Sequence, residues 1–294
     1  MKSWKIGAIS GLIAGIVAGF IGTLMLTVYL YAGLPLNPHA SNIADMPKFA
    51  TIVIVHKMFW GPILGVIYSR AHEVISNKII NKAVLFGLFC GLVYQIFDAI
   101  NLVAYAYIDS FHAIRIVIFA LIVWIPFGLI LASLYERWHK GKKQKIIAYE
   151  VNSGIHPGAI AGVICGILSY FLAIFYPYIG VFPPVYSAYL TDIIFMLSQF
   201  GTQVLISMIW GTILGAIFAK AYNIIPSKGI LKGLYYGLIL FFLSGVQLTT
   251  FFVAAGLAFN DPSHIWWGSR WLLFYILVYP VYGVALGYLY KPTK

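Results

Sequence analysis

The chain has 294 residues, of which 62% are hydrophobic and only 9% are charged. Soluble domains carry charged residues at roughly a quarter of their positions, so this composition excludes a water-soluble globular fold. The net charge of +11 does not indicate a nucleic-acid partner, because the basic residues stand in short segments between apolar runs. The composition predicts an all-α integral membrane protein.

Eight apolar runs are long enough for membrane-spanning helices, each of which needs about 20 residues. The first run is too long for the apolar part of a secretory signal, which covers roughly 7–15 residues, and is therefore expected to be a retained span. In chain order the predicted spans cover residues 5–33, 49–69, 83–107, 113–135, 157–180, 193–219, 233–258 and 267–290.

The basic residues divide unevenly between the two sides of these spans. Fifteen of the 19 Lys and Arg residues lie in one alternating set of segments, three (Lys48, Arg115 and Arg270) lie in the opposite set, and Lys57 lies within a span. Because cytoplasmic segments are enriched in Lys and Arg, both termini are predicted to be cytoplasmic, in a multi-pass protein of the cell membrane. The bilayer, including its anionic lipids, is the first expected partner.

The sequence contains an internal repeat. Residues 60–87 align without a gap with residues 210–237, and 12 of the 28 positions are identical. The glycine pattern that begins at Gly7 in the first span also resembles the one that begins at Gly158 in the fifth. Duplication of a four-helix unit explains these matches better than the general similarity of apolar helices.

Each predicted repeat contains four spans, which is an even number. Both copies then enter the membrane in the same direction, and the axis that relates them runs along the membrane normal. The predicted organisation is a first four-helix repeat, a basic cytoplasmic linker and a second four-helix repeat, at residues 1–138, 139–155 and 156–294.

Several spans carry glycines four residues apart, a spacing that places them on one face of a helix. Such faces let helix backbones approach closely in a membrane, so the first two helices of each repeat are predicted to pack tightly. A substrate groove lined by glycine is the alternative. The predicted packing residues are Gly7, Gly11, Gly15, Gly61 and Gly65 in the first repeat, and Gly158, Gly162, Gly166, Gly211 and Gly215 in the second.

One polar cluster is predicted inside the membrane. His56 and Lys57 lie in the second span, roughly 12 Å from its outer end at 1.5 Å per residue, and Asp98 lies in the third span with Gln95 and Asn101 nearby. Ionisable groups are expensive inside a membrane, so Lys57 and Asp98 are expected to form a buried pair. That pair could fix helix register, or it could form a proton-coupled or ligand-binding site.

The second repeat lacks these ionisable residues. Ile206 and Ser207 stand at the positions that align with His56 and Lys57. The two halves are therefore predicted to share a scaffold but to differ in their polar interiors. This asymmetry favours one specialised site, in the first repeat.

The predicted outer face carries charges that recur in both halves. Asp45 and Asp192 occupy related positions, as do Arg115 and Arg270. We expect these residues to form two structural salt bridges, Asp45 with Arg115 and Asp192 with Arg270, one in each half.

No cofactor is expected. The histidines predicted in outer segments lack the close spacing of a metal motif, although imidazole and carboxylate groups together can bind Zn, Cu or Ni. A haem with two histidine ligands would need a partner for His56 at matched depth, and no other histidine is well inside a span. Haem and metal stay open as minor alternatives, the weak metal candidates being His39, His112 and His264.

Two functions fit this sequence. A small transporter or permease fits the duplicated scaffold, the prolines within spans (Pro126 and Pro280) and the intramembrane polar cluster. A non-catalytic subunit of a larger membrane complex, such as a respiratory one, fits the short loops and sparse polar interior; its partners would be other membrane subunits or further copies of the chain. An enzyme is not expected, because no nucleotide-binding loop, nucleophile motif or paired carboxylates are present.

Overall fold

The computed structural model describes residues 2–34, 43–75, 78–96, 99–100, 110–139, 150–178 and 193–292. Across these ranges the chain is helical and contains no strand. Eight helices in the described ranges are long and apolar enough to cross a membrane. The predictions of an all-helical fold and of a multi-pass membrane protein are therefore confirmed.

The elements with described bounds include nine α-helices, which form these eight spans. The third span consists of α3 and a π-helical turn at Leu92–Ile96, and the seventh consists of α7 and α8 joined by a π-helical turn at Phe242–Val246. The helices are α1 (Ser3–Tyr31), α2 (Met46–Ile75), α3 (Ile79–Gly91), α4 (Ser110–Trp138), α5 (Asn152–Tyr178), α6 (Ile193–Ala221), α7 (Gly229–Phe241), α8 (Gln247–Phe259) and α9 (Pro262–Leu289).

The surfaces of these helices are apolar. Phe20 and Leu24 on α1, Leu197 on α6 and Leu257 on α8 are each at least 60% exposed. Exposing so many large apolar side chains to water would oppose folding, because burial of apolar surface drives it. A lipid environment removes that penalty, which agrees with the helix lengths.

The chain forms two compact units. The first contains the described parts of residues 1–100 and 108–146 together with Thr250–Ile265, and the second contains the remaining described residues. The segment Thr250–Ile265 thus groups with α1–α4, although the sequence assigns it to the second repeat. The two units otherwise follow the two halves of the sequence.

Glycines join α1 to α2 in the first unit. A Cβ atom added to Gly11 would overlap the carbonyl oxygen of Gly61, and one added to Gly7 would overlap the carbonyl oxygen of Gly65. Gly15 faces the carbonyl of Lys57 in the same way. The two backbones are therefore in direct contact, which is the packing that small residues permit between membrane helices.

The same kind of contact joins α5 to α6 in the second unit. Gly158 faces the carbonyl oxygen of Gly211, Gly162 faces that of Ser207, and Gly154 faces that of Gly215. Each predicted packing glycine thus lies at a helix–helix contact, and the contacts add Gly154, which the sequence analysis omitted.

The contacts change the register that the sequence suggests. Gly61 aligns with Gly211 in the sequence repeat. In the structure Gly61 faces Gly11, and Gly211 faces Gly158. By these contacts, Gly11 corresponds to Gly158. The sequence pattern had matched Gly158 with Gly7, one helical turn away. A glycine pattern with a period of four looks the same after a shift of four residues, which is why sequence similarity alone gave the wrong register.

Candidate functional site

Lys57 lies at the middle of a membrane-spanning helix. The span that contains it runs over Ile43–His72, so Lys57 is about 20 Å from either end at 1.5 Å per residue. Its side chain is 8% exposed. The sequence placed Lys57 nearer the outer end, because the polar residues that begin this helix hid its first turns.

Two aromatic rings face the ammonium group of Lys57. Its Nζ atom lies 3.6 Å from the centroid of the Trp124 indole and 4.6 Å from that of the Tyr94 ring. The two rings contact each other edge to face, with centroids 4.5 Å apart. A desolvated cation–π contact contributes about 2 kcal/mol, whereas burial of an ion costs several kcal/mol. The rings therefore hold the charge in place without neutralising it.

The π-helical turn at Leu92–Ile96 supplies part of this site. It carries Tyr94 and also Gln95, whose Oε1 atom accepts a hydrogen bond from Trp124 Nε1 at 3.1 Å. An indole N–H can only donate, so this contact fixes the orientation of the Gln95 amide and leaves its NH₂ group as a donor. Single π turns within α-helices occur frequently at functional sites.

A close helix contact positions Trp124. A Cβ atom on Gly87 of α3 would overlap the carbonyl oxygen of Trp124, and Gly91 packs against the indole itself. Because these positions lack side chains, α3 and α4 approach closely enough for the indole to lie beside Lys57. Trp124 is fully buried at the middle of the span Ser110–Trp138.

His56 lies near the Tyr94 ring, which also faces Lys57; the His56 and Tyr94 ring centroids are 6.4 Å apart. The His56 ring packs against Phe251, with centroids 5.4 Å apart, and its Nε2 atom lies 3.4 Å from the hydroxyl of Thr250. That hydroxyl accepts a hydrogen bond from Trp60 Nε1 at 3.1 Å. The hydroxyl proton can then be donated to His56, which corresponds to a neutral imidazole with Nε2 as the acceptor.

The structure brings together three of the five residues predicted for the intramembrane site: His56, Lys57 and Gln95. Asp98 and Asn101 lie outside the described residues. We define the Lys57 site as these three residues with Tyr94 and Trp124. Sequence reasoning missed both rings; the available signal was a tryptophan in mid-span rather than at an interface, where tryptophan is enriched.

No carboxylate among the described residues lies within 4 Å of Lys57 Nζ. The ion pairs that join described residues are Lys82 with Glu136, at 2.7 Å, and Asp261 with His264, at 2.9 Å. Lys82 is similarly buried, but it has an acidic partner within the described part of the chain.

The aligned position in the second unit is neutral. Ser207 is buried there, and its hydroxyl lies 3.5 Å from Nε2 of Gln203. Ser244, on the π-helical turn Phe242–Val246, takes the place of Tyr94 and is also buried. The predicted difference between the polar interiors of the two halves thus extends to the side chains around Lys57.

The two arginines predicted for salt bridges both lie near aromatic rings. Arg115 donates to His112 Nδ1 at 3.1 Å and lies over the Phe111 ring, and within the described residues no ion pair joins it to Asp45. Arg270 is buried over the ring of Trp266. Its predicted partner, Asp192, lies outside the described residues.

Two of the weak metal candidates, His112 and His264, lie among the described residues and have different partners. His264 pairs with Asp261, and His112 accepts from Arg115. His39 lies outside the described residues. Among the residues that the structure describes, no three His, Cys, Asp or Glu side chains are grouped as metal ligands.

Comparisons with protein-family profiles, with curated proteins and with solved structures gave no match. The functional interpretation therefore rests on the geometry of the Lys57 site.

Proposed function

We propose that the chain is a small membrane transporter and that the Lys57 site binds the transported solute or the coupling ion. One observation carries this proposal: an ammonium group at the centre of a span faces two aromatic rings and, among the described residues, no carboxylate. Ionisable groups inside membrane spans occur mainly on substrate or ion pathways, in relays or in pairs.

The energetics favour a functional role over a purely structural one. A methionine in place of Lys57 would fill a similar volume and would avoid the cost of burying a charge, so packing alone does not require lysine. Retention of the charge is understandable if the charge acts on a ligand or a proton.

The proposed scaffold is a pair of parallel four-helix repeats with both termini in the cytoplasm of a cell-membrane protein. Matching contacts support the duplication. Gly87 faces the carbonyl of Trp124 in one unit, and the aligned Gly237 faces that of Tyr279 in the other. The π-helical turns Leu92–Ile96 and Phe242–Val246 also fall at aligned positions, 150 residues apart. The distribution of basic residues supports the orientation and contact with anionic lipids.

The irregular helix in each unit also fits transport. Solute sites of transporters commonly lie near the bilayer midplane, where helices are interrupted. The π turn at Leu92–Ile96 is such an interruption, and it carries two residues of the Lys57 site.

The second candidate is a non-catalytic subunit of a membrane complex. It is favoured by the close glycine packing of α5 against α6 in the second unit, where buried Ser207 stands at the position that aligns with Lys57. Extraction in a mild detergent followed by identification of bound proteins tests it. Stable co-purification of other subunits would support this function, whereas a lone chain would argue against it.

Access of water to the Lys57 site tests transport. In a variant whose native cysteines, Cys90 and Cys165, are replaced by alanine, Gln95→Cys should react with a membrane-impermeant thiol reagent from at least one side. Leu131→Cys, at a fully buried position on α4, is the matched control and should stay unreactive. An unreactive Gln95→Cys from both sides would contradict a water-accessible pathway.

A further inference from the structure

The chemistry of the Lys57 site indicates what it binds, provided that the transporter function is correct. We propose that the solute is a small monocarboxylate, whose carboxylate group contacts Lys57 Nζ and whose apolar part lies against Tyr94 and Trp124.

Charge is the first argument. Among the described residues, the side chains near Lys57 Nζ are the Tyr94 and Trp124 rings and the Cys90 thiol, and none of them is a carboxylate. An anion would both lower the cost of burying Lys57 and be held by it, because attraction between opposite charges is strong in a medium of low dielectric constant. A cationic solute would be repelled by the same group.

Hydrogen-bonding capacity is the second argument. The Lys57 ammonium group has three N–H donors and no acceptor, and ring faces are weaker partners for them than oxygen atoms. The Gln95 amide uses its oxygen to accept from Trp124, so its free capacity is that of a donor. Both polar groups are therefore donors, which matches the two acceptor oxygens of a carboxylate.

The number of charges limits the solute to a monoanion. One lysine neutralises one negative charge, and a dianion would bring a second charge into a site to which the described residues contribute no second lysine or arginine. An uncompensated buried charge is strongly unfavourable. Monocarboxylates are therefore expected to bind in preference to dicarboxylates.

The rings select an organic anion. Tyr94 and Trp124 meet edge to face beside the ammonium, and both are buried. These ring surfaces can pack against a hydrocarbon or aromatic substituent but not against hydrating water. Benzoate is therefore expected to bind more tightly than acetate, since only benzoate adds a ring.

The second unit is expected to lack an equivalent site. Ser207, which aligns with Lys57, is buried beside the neutral Gln203. A hydroxyl carries no charge with which to hold a desolvated anion. The chain should therefore bind one monocarboxylate, and Ser207 provides a matched control position.

The test uses the purified full chain in detergent and measures binding of benzoate, acetate, succinate and choline by calorimetry. Benzoate should bind saturably with one site per chain. Lys57→Met should weaken binding by about 30-fold or more, as expected when one member of a buried charged contact is removed, and Ser207→Ala should leave it unchanged. If Lys57→Met does not fold, Lys57→Arg, which keeps the charge, is compared with Lys57→Gln. The Lys57→Arg variant should bind benzoate more tightly than the Lys57→Gln variant.

Several results would overturn the inference: no saturable benzoate binding, equal binding by wild type and Lys57→Met, or tighter binding of succinate or choline. Uptake of labelled benzoate into proteoliposomes separates the two proposals. Lys57-dependent binding without uptake would contradict transport but support the carboxylate site. If another solute is taken up and Lys57→Met does not change its uptake, the result would support transport but overturn the carboxylate site.

Discussion

The ammonium nitrogen of Lys57 lies 3.6 Å from the centroid of the Trp124 indole, and each residue stands at the middle of its own span. The most deeply placed charge of the described first unit is thus held by a ring face. A ring can stabilise a cation while leaving the charge able to act on a third group.

Replacement of Lys57 by methionine should separate stability from activity. If Lys57 serves a ligand, Lys57→Met removes a buried charge and should leave stability unchanged or raise it by about 1–4 kcal/mol, as replacement of buried charges by apolar groups often does. Thermal unfolding in detergent measures this change. A large loss of stability would instead indicate that Lys57 is a structural residue.

Lys82→Met is the contrasting variant. Lys82 donates to Glu136 at 2.7 Å, and both side chains are mostly buried. Removal of the lysine leaves a buried carboxylate without its partner, so we expect a loss of about 3–5 kcal/mol. The double variant Lys82→Met, Glu136→Gln should recover part of that loss; failure to do so would mean that the pair is not the cause.

Trp124→Phe should weaken the Lys57 site. Phenylalanine keeps a ring but offers a poorer cation–π surface, and the Gln95 oxygen loses its indole donor, for which we expect a loss of about 1–3 kcal/mol. Thermal unfolding and benzoate binding should both report the change. Trp4→Phe, near the start of α1 and substantially exposed, is the control and should change neither.

Alanine at a glycine of the α1–α2 contact should push the helices apart. The new Cβ of Gly11→Ala would overlap the backbone of Gly61, for which we expect a loss of about 1–3 kcal/mol. Gly201 provides the control, because no atom lies within 4 Å of an added Cβ there. Gly201→Ala should raise stability by up to about 1 kcal/mol through helix propensity. Equal effects of the two substitutions on thermal unfolding would exclude close packing at Gly11.

Asp261, which directly precedes α9, should make the stability of the protein depend on pH. Hydrogen bonds from the Ser263 side chain and backbone N–H, with a smaller contribution from His264, lower the pKa of Asp261 below its usual value. A group whose pKa is lower in the folded state stabilises the fold above its unfolded pKa, and this stability is lost as the pH falls through the folded pKa. In the Asp261→Asn variant, the free energy of unfolding should therefore fall less as the pH is lowered into the acid range than it does in the wild type. An equal fall in the two proteins would show that Asp261 does not contribute.

Labelling should reveal both termini on the cytoplasmic side. In the variant without native cysteines, Lys2→Cys and Lys291→Cys should react with an impermeant thiol reagent in intact cells only after permeabilisation. Phe111→Cys, on the exposed first turn of α4, should react without it. Labelling of all three positions from the same side would contradict the predicted orientation.

Hydropathy alone predicted all eight spans, because the need to fill a bilayer with about 20 apolar residues leaves few alternatives. Their ends were less accurate. The second span begins at Ile43 rather than near residue 49, since polar residues in the first turns of a helix lower its hydropathy without interrupting it. That difference moved Lys57 from a predicted position roughly 12 Å from the end of its span to the middle, about 20 Å from either end.

The charged residue of the site could be found from the sequence, whereas its partners could not. A lysine in an apolar span is conspicuous, but Tyr94 and Trp124 are two of 50 aromatic residues in the chain. Their selection depends on the close approach of α3 and α4 at Gly87 and on a π-helical turn. Neither feature has a sequence pattern of its own, because both arise when helices pack.

The glycine contacts between α1 and α2 repeat at every turn of the helix. A slide of one turn, about 6 Å at 1.5 Å per residue, would again set glycine opposite glycine, so the glycines themselves scarcely distinguish one alignment from the next. The two ends of the contact favour one alignment over the others, because Gly7 meets Ser69 there and Gly19 meets Ile54. The alignment of the two helices, and with it the height at which Lys57 stands in the membrane, is thus determined by Ser69 and Ile54, whose side chains bound the glycine surface.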